Sequence, residues 1–267
     1  MADRAPSAGD GFEHDADWQR RVVGRSLKTA AERSVDRGRA LVVAAATVLE
    51  RSGGEDITVQ EVADEAGQSL RTLYQYFAGK DDLLLAVFEE AMGTYADLIR
   101  AAIEGLDDPL DRLAGAMVAA VSMPAFSDSG FDRGLARLRL RLSEAEPEQV
   151  GRAQQRVTAL LQSLVEDAAA AGRVTVDDPE AATFLLMSLN AAYITTERLG
   201  NDAGVPRPEI AGIVTFCLQG LGAEVDAKWL AGVTRKLRLP ERRPRLVAGA
   251  LGGGSRRTAA KRRPATA

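Results

Sequence analysis

Four side chains at helical spacing carry the groups that read base edges. Gln68, Arg71, Thr72 and Gln75 fall three and four residues apart, so in a helix they share one face and present amide, guanidinium and hydroxyl groups together. Arginine pairs with both guanine acceptors of the major groove, glutamine with adenine, and threonine touches a thymine methyl. A solvated helix face carries the same residue types, so spacing alone leaves DNA binding and plain solvation both open. Catalytic chemistry has far less to work with. His14 is the only histidine and sits in a small, polar, aperiodic stretch, while Cys217 is the only cysteine and lies among Ile, Val and Leu. Neither has partners at fixed distance, and no Gly-rich phosphate loop occurs, so the scattered carboxylates read as solvated faces. The expectation is a non-enzyme with no metal and no cofactor.

The elements that must position the four polar residues are written just upstream. Thr58 followed three residues later by Glu61 is a capping box, which starts a helix at Thr58 or Val59. Val59, Val62, Ala63 and Ala66 give that helix an apolar stripe, and the small Ala63 admits a second helix at close range. Gly67 ends it, since glycine takes the left-handed conformation that turns the chain sharply. Ser69 then caps a second helix whose buried side is Leu73 and Phe77. Leu70 is ambiguous, three residues before Leu73 and so able to help cover the core. A preceding helix, from Ser34 or Val35 to Arg51, turns Leu41, Ala44, Ala45 and Val48 toward the same core and stops at Ser52-Gly53-Gly54.

The stretch Leu73-Tyr74-Gln75-Tyr76-Phe77, followed by Lys80 and then Leu83, Leu84 and Leu85, resembles the signature of the TetR family of bacterial transcription repressors. The resemblance is specific from about Ser34 to Glu90 and only architectural beyond. It implies that Thr58 contacts phosphate, that Ser69, Arg71, Thr72, Gln75 and Gln68 lie in the groove with Leu70 at its edge, that Tyr74 and Tyr76 bond phosphates through their hydroxyls, and that Lys80 meets the backbone. Phosphate contacts fix register while base contacts select sequence. Gln68 and Arg71 depart from the small residues common at those positions, and the reach of Arg71 makes it the leading specificity residue.

The fold class expected is all-α: an N-terminal three-helix helix-turn-helix head joined to a larger helical ligand-binding and dimerisation bundle. The division expected is an arm over 1–33, disordered or partly helical, the head over 34–79, the bundle over 80–238 and a basic disordered tail over 239–267. Proline and glycine punctuate the bundle. A long helix runs from Lys80 to about Ile103, Asp108-Pro109 opens the next to about Met123, and Pro124 to Gly130 is a loop. Further helices cover Phe131–Leu142, Pro147–Ala171, Pro179 to near Gly200, Pro208 to near Gly222, and Glu224–Leu237. No alternating strand pattern occurs.

At 267 residues, 46% apolar and 27% charged, the composition is that of an ordinary soluble protein. No span long and apolar enough for a bilayer is present, and a single cysteine excludes a disulfide framework, so the expected place is the cytoplasm, on the nucleoid. A net charge of −4 hides an asymmetry: from Arg235 onward eleven Lys or Arg face one acid, Glu241, a local sum of +10 that leaves −14 elsewhere. The tail either holds the protein near DNA without selecting sequence or does little. Likewise the basic run Arg20, Arg21, Arg25, Lys28, Arg33, Arg37 and Arg39 is either a DNA-contacting arm or a solvated lead-in.

For the bundle, the resemblance implies a small-molecule pocket beside the long fourth helix. Candidate liners are Phe88, Met92, Tyr95, Met117, Val121, Phe126, Phe131, Leu164, Phe184 and Met187, all equally readable as core, and they suggest a lipophilic effector. Leu185, Leu189 and Tyr193 on one helix and Ile210, Val214, Cys217 and Leu221 on the next repeat at three and four residues, a seam for a homodimer or an ordinary core. A two-fold dimer implies a palindromic double-stranded operator. Cys217 on that seam reads as an apolar filler rather than a redox sensor. The competing class is an architectural or constitutive DNA-binding protein without an effector.

Overall fold

The computed structural model describes residues 17–122, 130–200 and 208–239. The N-terminal residues 1–16, Phe126 with its loop and the tail from 240 onward lie outside the described residues. Ten α-helices make up the described architecture, without a strand among the described residues. They are α1 (Asp17–Ser52), α2 (Val59–Glu65), α3 (Leu70–Tyr76), α4 (Lys80–Ala102), α5 (Pro109–Ser122), α6 (Gly130–Ala145), α7 (Pro147–Ala170), α8 (Pro179–Leu199), α9 (Ile210–Gly220) and α10 (Ala227–Lys236).

The first helix begins well before the expected Ser34: α1 is one helix of 36 residues. No proline interrupts residues 17–52, and Gly24 and Gly38 are its only glycines, so no strong breaker stops the helix short of Asp17. Packing divides the chain at Ala40 into two compact units. In the first, residues 28–37 are exposed. The second, from Leu41, contains the expected head from residue 41 to 79 and the bundle expected over 80–238, while residues 34–40 fall in the first.

Within that second unit two apolar clusters organise the helices. One joins Leu41, Ala45, Val48 and Leu49 of α1 to Val62, Ala63 and Leu73 of the short helices, then continues through Leu84, Val87 and Phe88 of α4 to Leu135, Leu138 and Leu142 of α6. The other fills the bundle between α5, α7, α8, α9 and α10, with Leu113, Leu164, Val165, Val214, Leu218 and Leu230 at its centre. α4 supplies residues to both, because its apolar positions run the length of a 23-residue helix.

Capping explains where the bundle helices start. The Asp108 carboxylate accepts from the amides of Leu110 and Asp111 at 2.9 and 3.2 Å, Asp178 from Glu180 and Ala181 at 3.0 Å each, and Asp226 from Trp229 at 2.7 Å. Each satisfies amides that the first turn leaves without a partner. α8 ends at Gly200, whose φ of 67° is the left-handed closing conformation.

Candidate functional site

The head is built on two short helices, each capped at its N-terminus by a side chain and closed at its C-terminus by backbone hydrogen bonds. Thr58 and Glu61 form the expected capping box: the Glu61 amide donates to Thr58 Oγ1 at 3.2 Å, and the Thr58 amide donates to Glu61 Oε2 at 2.9 Å. The Thr58 hydroxyl also donates to that carboxylate, at 2.8 Å. Bonding by the Thr58 amide, then by its hydroxyl, with Arg51 and Lys80 adding positive potential, holds the Glu61 carboxyl below its ordinary pKa. Both donors of Thr58 are thus committed to a carboxylate, so a phosphate at this position has to compete with Glu61. α2 closes at Gly67, φ +62°, where the Gln68 amide reaches back to the Ala63 carbonyl at 2.9 Å.

The turn delivers α3 with Ser69 as its cap, accepting from the Thr72 amide at 3.1 Å while the two hydroxyls lie 2.9 Å apart. Leu73 is fully buried beneath the helix, and Leu70, Tyr76 and Phe77 pack partly buried against the same cluster. On the other side Ser69, Arg71, Tyr74 and Gln75 are exposed, with Gln68, Thr72 and Lys80 half-buried around them. The structure therefore gathers a hydroxyl, a guanidinium, a phenol and an amide on one accessible face. Leu70 falls on the core side of that face.

Below the head, a cavity of about 120 Å³ opens where α4, α5, α6, α7 and α8 meet. Of the expected liners, Phe88, Met92, Tyr95 and Met187 line it. Met117, Leu164 and Met187 line a neighbouring void of about 20 Å³. Phe184 does not: it stands 69% exposed, on the outer side of α8. Val121 and Phe131 are buried in the core and line neither space.

The wall is also more polar than an apolar-effector reading anticipates. Asp132, 4% exposed, accepts from the Tyr95 hydroxyl at 3.3 Å, and Arg139, Gln154, Asn190 and Thr195 join the lining. Burial pulls the Arg139 pKa down. Its Nε and the Asn190 Oδ1 are enclosed without a hydrogen-bond partner among the described residues. A signal for them exists in the sequence. Residues 132, 135, 136 and 139 share one face of α6, and 187, 190, 191 and 194 share one face of α8, so a polar residue in an otherwise apolar stripe marks the wall.

α6 also grips the head. Arg137 Nη1 donates to the Gly53 carbonyl at 2.8 Å and pairs with Glu55 Oε1 at 2.7 Å. Beside it two glycines pass backbone against backbone, since a Cβ on Gly54 would lie 2.8 Å from Gly134 Cα. One helix thus lines the cavity and holds the turn between α1 and α2.

The expected seam residues separate into two groups. Leu185 and Leu189 are 60% and 40% exposed on α8, beside Phe184, and Phe216 on α9 is 65% exposed. By contrast Val214 and Cys217 are buried in the bundle's own core, while Ile210 and Leu221 pack against it and stay partly exposed. Helical phase explains it: Val214, Cys217 and Leu218 face inward, which turns Phe216 out. Tyr193 is half-buried and its hydroxyl donates to the Pro208 carbonyl at 3.3 Å. Burial raises the Cys217 thiol pKa, the opposite of what a reactive thiolate needs.

Among the described residues no group of carboxylate, histidine and cysteine side chains is arranged to hold a metal ion, and no helix is long and apolar enough to cross a membrane.

A capped helix-turn-helix head fused to a helical bundle with an internal cavity defines the class of protein. Residues 41–87 match the family model described as bacterial regulatory proteins, tetR family. The chain is 33% identical over 93 residues to the HTH-type transcriptional regulator HbdR of Aromatoleum sp. (strain CIB), covering 35% of this chain and 41% of that protein. It is 33% identical over 91 residues to the HTH-type transcriptional regulator BetI of Brucella anthropi, covering 34% and 47%. The match thus spans less than half the length of these curated relatives, which are regulators and not enzymes. Among solved structures, RolR in complex with resorcinol superposes with a TM-score of 0.59 at 20% identity, over 79% of this chain and 98% of that one. FadR from Bacillus subtilis in complex with stearoyl-CoA superposes with a TM-score of 0.55 at 19% identity, over 70% and 98%. The tetR-family match thus covers residues 41–87, and the solved structures share the all-helical fold beyond it.

Proposed function

We propose that this protein is a DNA-binding transcriptional regulator, a repressor that holds a short palindromic operator as a homodimer and lets go when a small molecule fills the bundle cavity. The observation that carries the reading is the exposed face of α3, where Arg71, Tyr74 and Gln75 stand clear of a helix pinned by Ser69 above and Leu73 below. Arg71, Thr72 and Gln75 read base edges. Tyr74 and Lys80 meet phosphate. Support comes also from the relatives HbdR and BetI, both HTH-type transcriptional regulators, and from two proteins of the same fold solved with small molecules, RolR with resorcinol and FadR with stearoyl-CoA.

Dimerisation uses the apolar face of Phe184, Leu185, Leu189 and Phe216, large side chains whose clustering in water is otherwise costly. Release runs through α6, which a ligand touches at Leu135 and Ala136 and which holds the head at Gly53 and Glu55. A ligand acts only by its different affinity for the two states of that helix. Such a protein works in the cytoplasm, on the nucleoid. Footprinting on DNA around its own gene tests the reading: one short protected inverted repeat is expected, and broad coating of any duplex overturns it in favour of an architectural binder.

A further inference from the structure

Packing sets the residues before Leu41 apart from the rest of the chain, and α1 fills the described part of them. We propose that residues 17–40 are a second contact to duplex DNA, one that meets phosphates and adds affinity without adding base preference. The proposal rests on reading the head as the DNA-binding site, and three observations carry it.

Burial is the first. Residues 28–37 and Ala40 are exposed, with Gly38 and Arg39 half-buried, and no residue before Leu41 enters either apolar cluster. Most of a helix's stability in a protein comes from packing an apolar face. A helical segment without such a face is left with its charges as its means of recognition.

Charge is the second. Residues 17–40 hold seven Lys or Arg against Asp17, Glu32 and Asp36, a local balance of +4, and no acid falls from Trp18 to Ala31, where Arg20, Arg21, Arg25 and Lys28 occur. Together with the +10 from Arg235 onward this leaves −18 on all other residues, so the segment is positive on a chain that is otherwise acidic. A duplex carries one negative charge per about 1.7 Å of axis, and Lys or Arg that neutralise phosphates release its counterions. At a rise of about 1.5 Å per residue the segment extends about 36 Å, enough to meet several phosphates.

Distribution is the third. The helical period puts Arg33 and Arg37 on one side of α1 and Lys28 and Arg39 on another. Reading base edges needs side chains converging on one face, as on α3, whereas phosphate contacts carry no such demand. The chain runs on from Ala40 into Leu41 of the head's core, so DNA held by the head meets the segment at the effective concentration of an intramolecular contact.

The test uses the full chain and two variants. One carries Arg20→Gln, Arg21→Gln, Arg25→Gln and Lys28→Gln together, and the other carries Arg20→Lys, Arg21→Lys and Arg25→Lys. Affinity for the footprinted operator and for a random duplex of equal length is measured across a salt series. The Gln variant should lower the slope of log K against log salt by about 2–4 and weaken both duplexes by the same factor, about tenfold at low salt. The Lys variant should keep the parent's slope, because charge makes the contact. Amide exchange over residues 17–40 should slow when either duplex is added. An unchanged slope in the Gln variant, a loss confined to operator, or a Lys variant that falls with the Gln variant overturns the proposal. So does exchange that slows with protein concentration and not with DNA, which assigns the helix to a second copy. Arg71→Ala keeps the two readings separable. If it lowers operator preference while the Gln variant keeps the parent's slope, only the second contact falls; if the parent prefers no operator yet the Gln variant loses slope on random duplex, the regulator reading falls and the contact stands. A parent that binds no duplex overturns both.

Discussion

The α3 face and the bundle cavity both collect polar side chains, but they treat them in opposite ways. On α3 the hydroxyls of Ser69 and Thr72 meet each other, Ser69 also accepts from the Thr72 amide, and Arg71 and Gln75 are exposed. Beside the cavity Arg139 Nε and Asn190 Oδ1 are enclosed and have no hydrogen-bond partner among the described residues. A surface that meets a highly charged polymer loses little by being hydrated beforehand, because its contacts exchange water and counterions for phosphate and base edges. A pocket for a small molecule gains selectivity from groups that stay unmet until the correct ligand arrives. On the proposed function the two regions divide recognition between a hydrated face and an enclosed cavity.

The sharpest way to break that division is to remove the support under the exposed face. Leu73 has no exposed surface, and Leu73→Ala leaves a void beneath α3 that costs about 2–5 kcal/mol. Denaturant unfolding should show the loss, and DNA binding should fall with it. An unchanged midpoint would mean that α3 is held by its caps alone. Next in size is Arg71→Ala, which should cost about 1–3 kcal/mol of operator affinity and relax preference at one base pair while unfolding stays as in the parent. A uniform loss across all sequences would make Arg71 a phosphate contact.

Smaller is Thr58→Ala, which removes an N-cap at a cost of about 1 kcal/mol. Its pH dependence adds a second readout. Glu61 is held below its ordinary pKa first by the Thr58 amide and then by the Thr58 hydroxyl. A carboxyl depressed in the folded state stabilises the protein above its unfolded pKa, and that contribution disappears as pH falls through the lowered native value. Thr58→Ala removes the hydroxyl's part, so the variant should lose less stability than the parent on acidification. Parallel pH profiles would show that the amide alone sets the shift.

Much of this organisation is legible in the residues. Thr58-Glu61, Gly67 and Ser69 write the helix-turn-helix boundaries locally, because capping and left-handed closure depend on side chains two or three positions away. Asp108-Pro109 and Asp178-Pro179 do the same for α5 and α8. What depends on helical phase against distant partners is not written locally. Phe184 and Phe216 face outward while Val214 and Cys217 face inward, a choice set by how α8 and α9 rotate against the rest of the bundle. The cavity wall is a tertiary product too: among Arg133, Arg137, Arg139 and Arg141, only position 139 points into the space between five helices. The start of α1, at Asp17 rather than Ser34, is a different case: the residues before Ser34 hold no helix breaker but also no cap or apolar stripe that would mark a start.

The smallest expected effect separates two ways in which α6 can join the two regions. Arg137 touches the turn between α1 and α2 through the Gly53 carbonyl and Glu55, but its side chain is 41% exposed and that of Glu55 71%. Solvent screens such a pair, so Arg137→Ala should cost under about 1 kcal/mol of stability. The backbone contact between Gly54 and Gly134 stays in place, because no side chain of either residue takes part in it. If packing carries the movement of α6 to the head, the variant should release DNA on ligand binding as the parent does. If the charged pair carries it, release should weaken while ligand affinity holds. The close approach at Gly134, where an added Cβ would lie 2.8 Å from Leu49 Cγ and 3.1 Å from the Gly54 amide nitrogen, favours packing. Titrating parent and Arg137→Ala side by side against operator DNA distinguishes the two, since only the charged-pair route predicts that a nearly neutral substitution uncouples the cavity from α3.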